Sequence, residues 1–142
     1  MTIRAFTAAV GLAFTVAAAP SAMAFGHADN HAEVYIISPI DGAEVSSPVT
    51  VVFGLKGMGV APAGTDKANT GHHHLLIDTV LPPLDENIPA DENHVHFGGG
   101  QTEVTLDLKP GTHTLQLLLG DMNHIPHDPA VYSKKITVTV KE

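Results

Sequence analysis

Short apolar and β-branched runs, each closed off by Gly, Pro, Asn or Asp, recur from residue 33 to the end of this chain. That spacing constrains the fold more than any other feature. Runs of this length suit strands, and a strand with one buried face alternates apolar with polar positions. Strands are expected at Glu33–Ile37, Val49–Leu55, His72–Thr79, His94–Phe97, Thr102–Leu108, Thr112–Leu119 and Tyr132–Val140. The alternation is clean in Val104, Leu106 and Leu108, in Leu115, Leu117 and Leu119, and in Ile136, Val138 and Val140. No stretch beyond the N-terminal leader keeps a helical period. The prolines there lie at or outside the strand limits, as ladder hydrogen bonding requires. Ser38-Pro39-Ile40-Asp41-Gly42 and Lys109-Pro110-Gly111 are turns, because Pro presets φ and Gly accepts positive φ. The expectation is all-β: an immunoglobulin-like β-sandwich of about seven strands, without the Cys and Trp hallmarks of antibody domains.

The N-terminus sets the expected compartment. Arg4 precedes an apolar run from Ala5 to Ala19, Pro20-Ser21 breaks it, and Ala22-Met23-Ala24 supplies small residues for cleavage. This is the pattern of a secretory signal peptide, and the run is short of the ~20 apolar residues of a membrane span. The domains expected are a signal peptide (1–24), an extension (25–32) and one sandwich domain (33–142), in a periplasmic or otherwise secreted protein. Beyond the signal, 6 basic residues face 15 acidic ones, a net charge of −9. Such a chain has no electrostatic footprint for nucleic acid and is repelled by anionic membranes. With no cysteine, disulfides, thiolate zinc sites and blue-copper centres are excluded.

Against that absence stand ten histidines, seven of them in three groups: His72-His73-His74, His94-Val95-His96 and His124-Ile125-Pro126-His127. Neutral imidazole is the commonest protein metal ligand. In an immunoglobulin order of strands A to G, all three groups are expected at one pole of the sandwich: the first opening strand C, the second closing strand D, the third in the F–G loop. Residues i and i+2 share a strand face. His72 and His74 can therefore chelate together, as can His94 and His96, while His73 joins Leu75 and Ile77 as a buried, hydrogen-bonded residue. His124 and His127 sit in a loop held by Pro126 and Pro129. Three or four such imidazoles make a site for copper, zinc or nickel ions. Asp121 and Asp128 are further candidate ligands or orienting acceptors, and Met122 is a soft donor suited to Cu(I).

A plainer reading runs beside this one. Loop histidines can be solvated, and histidines at strand ends can bond backbone carbonyls. His113, in a turn-to-strand passage, is read as structural and expected at the opposite pole. A separate chelate is available if cleavage follows Ala24, leaving Phe25-Gly26-His27 at the new N-terminus. A free amine, two amides and a third-position imidazole form the square-planar set that Cu²⁺ and Ni²⁺ favour, with His31 nearby.

The strings Val34-Tyr35-Ile36-Ile37-Ser38-Pro39, Gly57-Met58-Gly59-Val60-Ala61-Pro62-Ala63-Gly64, Asn69-Thr70-Gly71-His72-His73-His74-Leu75-Leu76-Ile77-Asp78, His94-Val95-His96-Phe97-Gly98 and Gly120-Asp121-Met122-Asn123-His124-Ile125-Pro126-His127 resemble a family of small exported bacterial proteins, domain of unknown function 4399. The resemblance implies export and a β-sandwich but no activity. Three function classes remain. The first is a metal-binding buffer, carrier or sensor, for copper first and zinc second. The next is an immunoglobulin-like module that binds a cell-envelope partner, with structural or pH-responsive histidines. Last comes a metalloenzyme using Asp121 or Asp128 as base, which lacks support from any HExxH or nucleophile-elbow motif.

Overall fold

The computed structural model describes Ala28 and residues 31–142. The expected signal peptide and the Phe25-Gly26-His27 chelate lie outside the described residues. Within them every regular element is a strand, so the protein is all-β. Among the described residues there are nine strands rather than seven. β1 (Glu33–Ser38), β3 (Val49–Lys56), β5 (Thr70–Ile77), β6 (His94–His96), β7 (Glu103–Leu106), β8 (Gly111–Gly120) and β9 (Ile136–Val140) match the seven expected runs. The additional two, β2 (Glu44–Val45) and β4 (Gly59–Val60), are two-residue strands too short to carry a periodic signal. Each pairs in parallel with a longer strand, β2 with β9 and β4 with β5. No helix of the described residues is long and apolar enough to cross a membrane.

The strands form two sheets. The smaller has the order β1-β3-β7, and the larger runs β2-β9-β8-β5-β4 with β6 also paired to β5. Taking β1, β3, β5, β7, β8 and β9 as A, B, C, E, F and G reproduces the immunoglobulin division into an A-B-E sheet and a C-F-G sheet. One expectation is corrected: β6 is not strand D of the small sheet. It hydrogen-bonds to β5 in the large one, placing Val95 opposite Leu75 and His96 opposite His74.

Alternation explains the outer strands. In β9 Ile136, Val138 and Val140 are buried and Thr137 and Thr139 exposed; in β3 Val49, Val51 and Phe53 point inward. They pack with Leu75, Ile77, Leu115, Leu117 and Leu119 into the core between the sheets. Burying each such side chain contributes about 1.5–3 kcal/mol. The proline turns form as expected, with Gly42 and Gly111 at φ of 80° and 130°.

β5 and β8 depart from one-sided burial: Gly71–Ile77 and Leu115–Gly120 are buried on both faces. A strand covered on both sides no longer alternates. The outer cover is loop, since Leu76 and Leu118 pack with Ile88 of the 78–93 segment to make a second, smaller core, with Leu81 against it. This cover turns the outer face of the large sheet into a protected floor, and the histidines stand on it.

Candidate metal centre

The outer face of β5 carries His72, His74 and Leu76, set across β8 from Gly120, Leu118 and Gln116. His74 also faces His96 directly across the β5–β6 ladder. Period-two geometry therefore puts two imidazoles on one strand, and strand pairing brings a third beside them. One ligand nitrogen from each of His72, His74 and His96 lies within 4.8 Å of the others.

A fourth ring, His124, stands beside these three, although it is not among the nitrogens that meet within 4.8 Å. Its ring centroid is 5.0 Å from that of His72, 4.7 Å from His96 and 6.3 Å from His74. Among the first three, the spacings are 4.8 Å for His72–His74, 5.0 Å for His72–His96 and 5.1 Å for His74–His96. A tight turn after β8 holds His124 in place. The Asp121 carboxylate accepts the N–H groups of Asn123 (2.8 Å) and Ile125 (3.1 Å), and the His124 N–H bonds the Asp121 carbonyl (3.1 Å). His124 sits at φ 65°, a left-handed conformation in which Asn, Asp and His are enriched among non-glycine residues. Its carbonyl accepts from Ile88 N–H at 2.8 Å, tying the turn to the covering loop.

Two glycines clear the space. A Cβ at Gly120 would stand 2.8 Å from His74 Cε1, and one at Gly98 would run into the His96 ring. Histidine-counting missed both. Each is a glycine next to a histidine group, and neither could be assigned this role without the strand register.

His72 and His74 are buried, His124 is half-buried and His96 is exposed, so the group has a closed floor and an open mouth. Burial pulls the His72 imidazole down from 6.5 to about 4, helped by His124 and His96 and opposed by Asp121. It pulls His74 down to about 3, with His72, His96 and His124 adding to the effect. His96 is lowered too, by burial and then by His124. At neutral pH these rings are uncharged, the state that binds a metal. The buried His72 Nε2 and His74 Nδ1 have no hydrogen-bond partner.

The remaining histidines and acidic residues take other positions. His94 bonds Asp91 at 2.8 Å through Nδ1 and is not brought to the group. His127 is buried beside Gly71, with Nε2 donating to the Thr70 carbonyl at 3.0 Å. Asp121 acts on His72 electrostatically while its Oδ1 builds the turn. Met122 is 37% exposed in the same turn. Asp128 lines, with His127, Leu84, Asp85 and Pro126, a separate cavity of about 470 Å³. His73 faces the inner core as expected, its ring 5.2 Å from Phe53. Burial lowers its pKa to about 4, opposed in part by a hydrogen bond with the Gln101 backbone. His113 lies at the far end of β8, bonded to Asp78 (2.7 Å) and the Lys109 carbonyl (2.8 Å).

No curated protein and no solved structure matches the chain. A family model, Domain of unknown function (DUF4399), matches residues 51–141, a span that holds both central strands and all four clustered imidazoles. The chain belongs to that family.

Proposed function

We propose that this is an exported metal-binding protein, a periplasmic or secreted buffer, carrier or sensor for copper or zinc ions. His72, His74 and His96 are the ligands, joined by His124. The observation that carries the reading is the convergence of three imidazole nitrogens within 4.8 Å, from two paired strands, with no competing partner for the buried ring nitrogens of His72 and His74. Leaving such a group unsatisfied costs about 1–3 kcal/mol, a cost a bound metal removes. His73 is buried as well, but it stands alone against Phe53, so burial alone does not mark the site. The open mouth at His96 and His124 favours exchangeable cargo over a permanently enclosed structural ion.

Titrating metal-free protein with Cu²⁺, Zn²⁺ and Ni²⁺, beside a variant with His72, His74, His96 and His124 all replaced by Ala, tests this. Binding of one ion per chain that the variant loses is the expected result. Equal, weak binding by both forms would sink the reading. A form blocked at its processed N-terminus separates any contribution of Phe25-Gly26-His27.

A further inference from the structure

The six centroid separations among the four rings carry information about which metal the site suits. A metal about 2.0–2.1 Å from each imidazole nitrogen sets ring centroids about 5 Å apart along all six edges of a tetrahedron. A square plane gives four edges of about 4.5 Å and two crossed diagonals of about 6.5 Å, the arrangement Cu²⁺ and Ni²⁺ favour. Here five separations lie between 4.7 and 5.1 Å. Only His74–His124, at 6.3 Å, is long, and the opposite pair, His72–His96, is 5.0 Å rather than a second diagonal. The rings therefore surround a point instead of lying around a plane.

Their supports differ as well. His72, His74 and His96 are fixed by strand register, with His74 and His96 an opposed pair and His72 across from Gly120. His124 is held by a turn, with its backbone tied only to Asp121 and Ile88. Its ring stands farther from His74 than from the other two, so a short inward movement of the turn closes the fourth corner. The donors are all nitrogen: no cysteine exists to supply thiolate.

We infer that the site is a pseudo-tetrahedral four-imidazole site built for Zn²⁺, in which three strand-borne histidines form a fixed cradle and His124 is the closing, exchangeable ligand. The inference rests on the metal-binding reading above and adds geometry, ion and route of release. Zinc has no d-electron preference and takes four nitrogen donors as a tetrahedron. Cu(I) shares that geometry but is drawn by sulfur donors, which these four side chains lack. Affinity order is not the test, because Cu²⁺ outranks Zn²⁺ at almost any nitrogen site. Coordination geometry and dissociation rate are.

The full chain is loaded with Co²⁺ as a visible probe and then challenged with Zn²⁺. One Co²⁺ per chain, with the intense visible bands of four-coordinate cobalt and displacement by one Zn²⁺, is the expected result. The variants are His124→Gly, which accepts the left-handed backbone without penalty, and His124→Asn, which tolerates it. Both should still bind, but with an altered Co²⁺ spectrum and with Zn²⁺ lost to a chelator faster, by at least the ~10- to 100-fold that even outer-shell partners of a ligand are worth. Faint six-coordinate bands from the unaltered protein would overturn the tetrahedral assignment. Spectra and dissociation rates unchanged in both variants would overturn the role of His124. Failure of the unaltered chain to take up Co²⁺ or Zn²⁺ would instead remove the reading on which both rest.

Discussion

The β5–β8 ladder has a histidine at one end, His72, and another just beyond the opposite end, His113, and the two are handled in opposite ways. At one end His72 stands across from Gly120 amid three other imidazoles, and the buried nitrogens of His72 and His74 have nothing to bond. At the other, beyond the Ile77–Leu115 pair, His113 offers Nδ1 to the Asp78 carboxylate and Nε2 to the Lys109 carbonyl. Both of those partners only accept, so satisfying both requires the imidazolium, which donates from each nitrogen. Asp78 is further fixed by the Thr114 N–H at 2.8 Å. One end is organised around neutral rings and an absent bond, the other around a charged ring and a full set. Identity of residue type says nothing about role here; the partners decide it.

Removing ligands should break the comparison most sharply. On the proposed reading His74→Ala or His72→Ala deletes a direct ligand, and metal affinity is expected to fall by at least ~100-fold, since even outer-shell partners count for 10- to 100-fold. His113→Ala should leave metal affinity unchanged and lower the stability of the metal-free protein by about 1–3 kcal/mol through lost charged hydrogen bonds. Competition against a chelator and urea denaturation read the two effects. A metal defect in the His113 variant would show that the ends are coupled through the ladder.

Acidity should move the two ends in opposite directions. The pKa values of His72 and His74 are depressed to about 4 and about 3 from an ordinary 6.5. From pH 6.5 down to about 4 for His72 and about 3 for His74, the unfolded chain binds more protons than the folded one, so these residues lower stability as pH falls through that window. Metal should be retained below pH 6.5 and released as pH approaches 4, since protons compete for the same nitrogens. His113 is raised by Asp78, then by the Lys109 carbonyl. Its contribution is fully present below 6.5 and lost as pH rises through its raised value. The stability gap between the unaltered protein and His113→Gln should accordingly shrink from pH 5.5 to pH 9. A gap that widens would reverse the assignment of charge at that end.

How much of this could be read from the chain follows the same division. The strand period placed His72 and His74 on one face and His73 on the other without any structure. The turn chemistry of Pro39–Gly42 and Pro110–Gly111 was equally legible, because the constraint lies in the residues themselves. The neighbour of β6 was not: three residues carry too little pattern to choose a sheet, so His96 reaches the site by pairing with His74 rather than by meeting it across a pole. The burial of Leu118 and Leu76 was hidden too. Alternation reports one covered face, and the second cover comes from a loop whose only apolar anchors are Leu81 and Ile88.

Two glycines offer a finer cut between the ends. Gly120→Ala places a methyl 2.8 Å from His74 Cε1 and 3.3 Å from Ile88 Cδ1, so ring or loop must move. Metal affinity is expected to fall by ~10- to 100-fold, the range for disturbing a ligand's orientation. Gly111→Ala at the far end meets nothing within 4 Å but sits at φ 130°. It should cost about 1–3 kcal/mol of backbone strain with metal affinity intact. Paired titration and denaturation of the two variants should give one defect each; a shared defect would mean that strain travels along β8.

The gentlest probe concerns the turn that carries His124. Asn87 of the covering loop donates to the Asn123 carbonyl at 3.0 Å, one residue before the imidazole. Asn87→Ala removes an exposed hydrogen bond, about 0.5–1.5 kcal/mol at most. Global stability should barely change. If His124 is held only through its turn, loosening that turn should speed Zn²⁺ loss by a few-fold, at most about tenfold, since 1.4 kcal/mol is a factor of ten. The equivalent loosening at the other end, Lys135→Ala, deletes the Lys135–Thr79 carbonyl bond of 2.9 Å beside Asp78 and should leave the dissociation rate alone. Stopped-flow chelation of the two variants compares them directly. Equal rates would mean that the covering loop holds His124 by packing around Ile88, and that the turn's hydrogen bonds are incidental to the site.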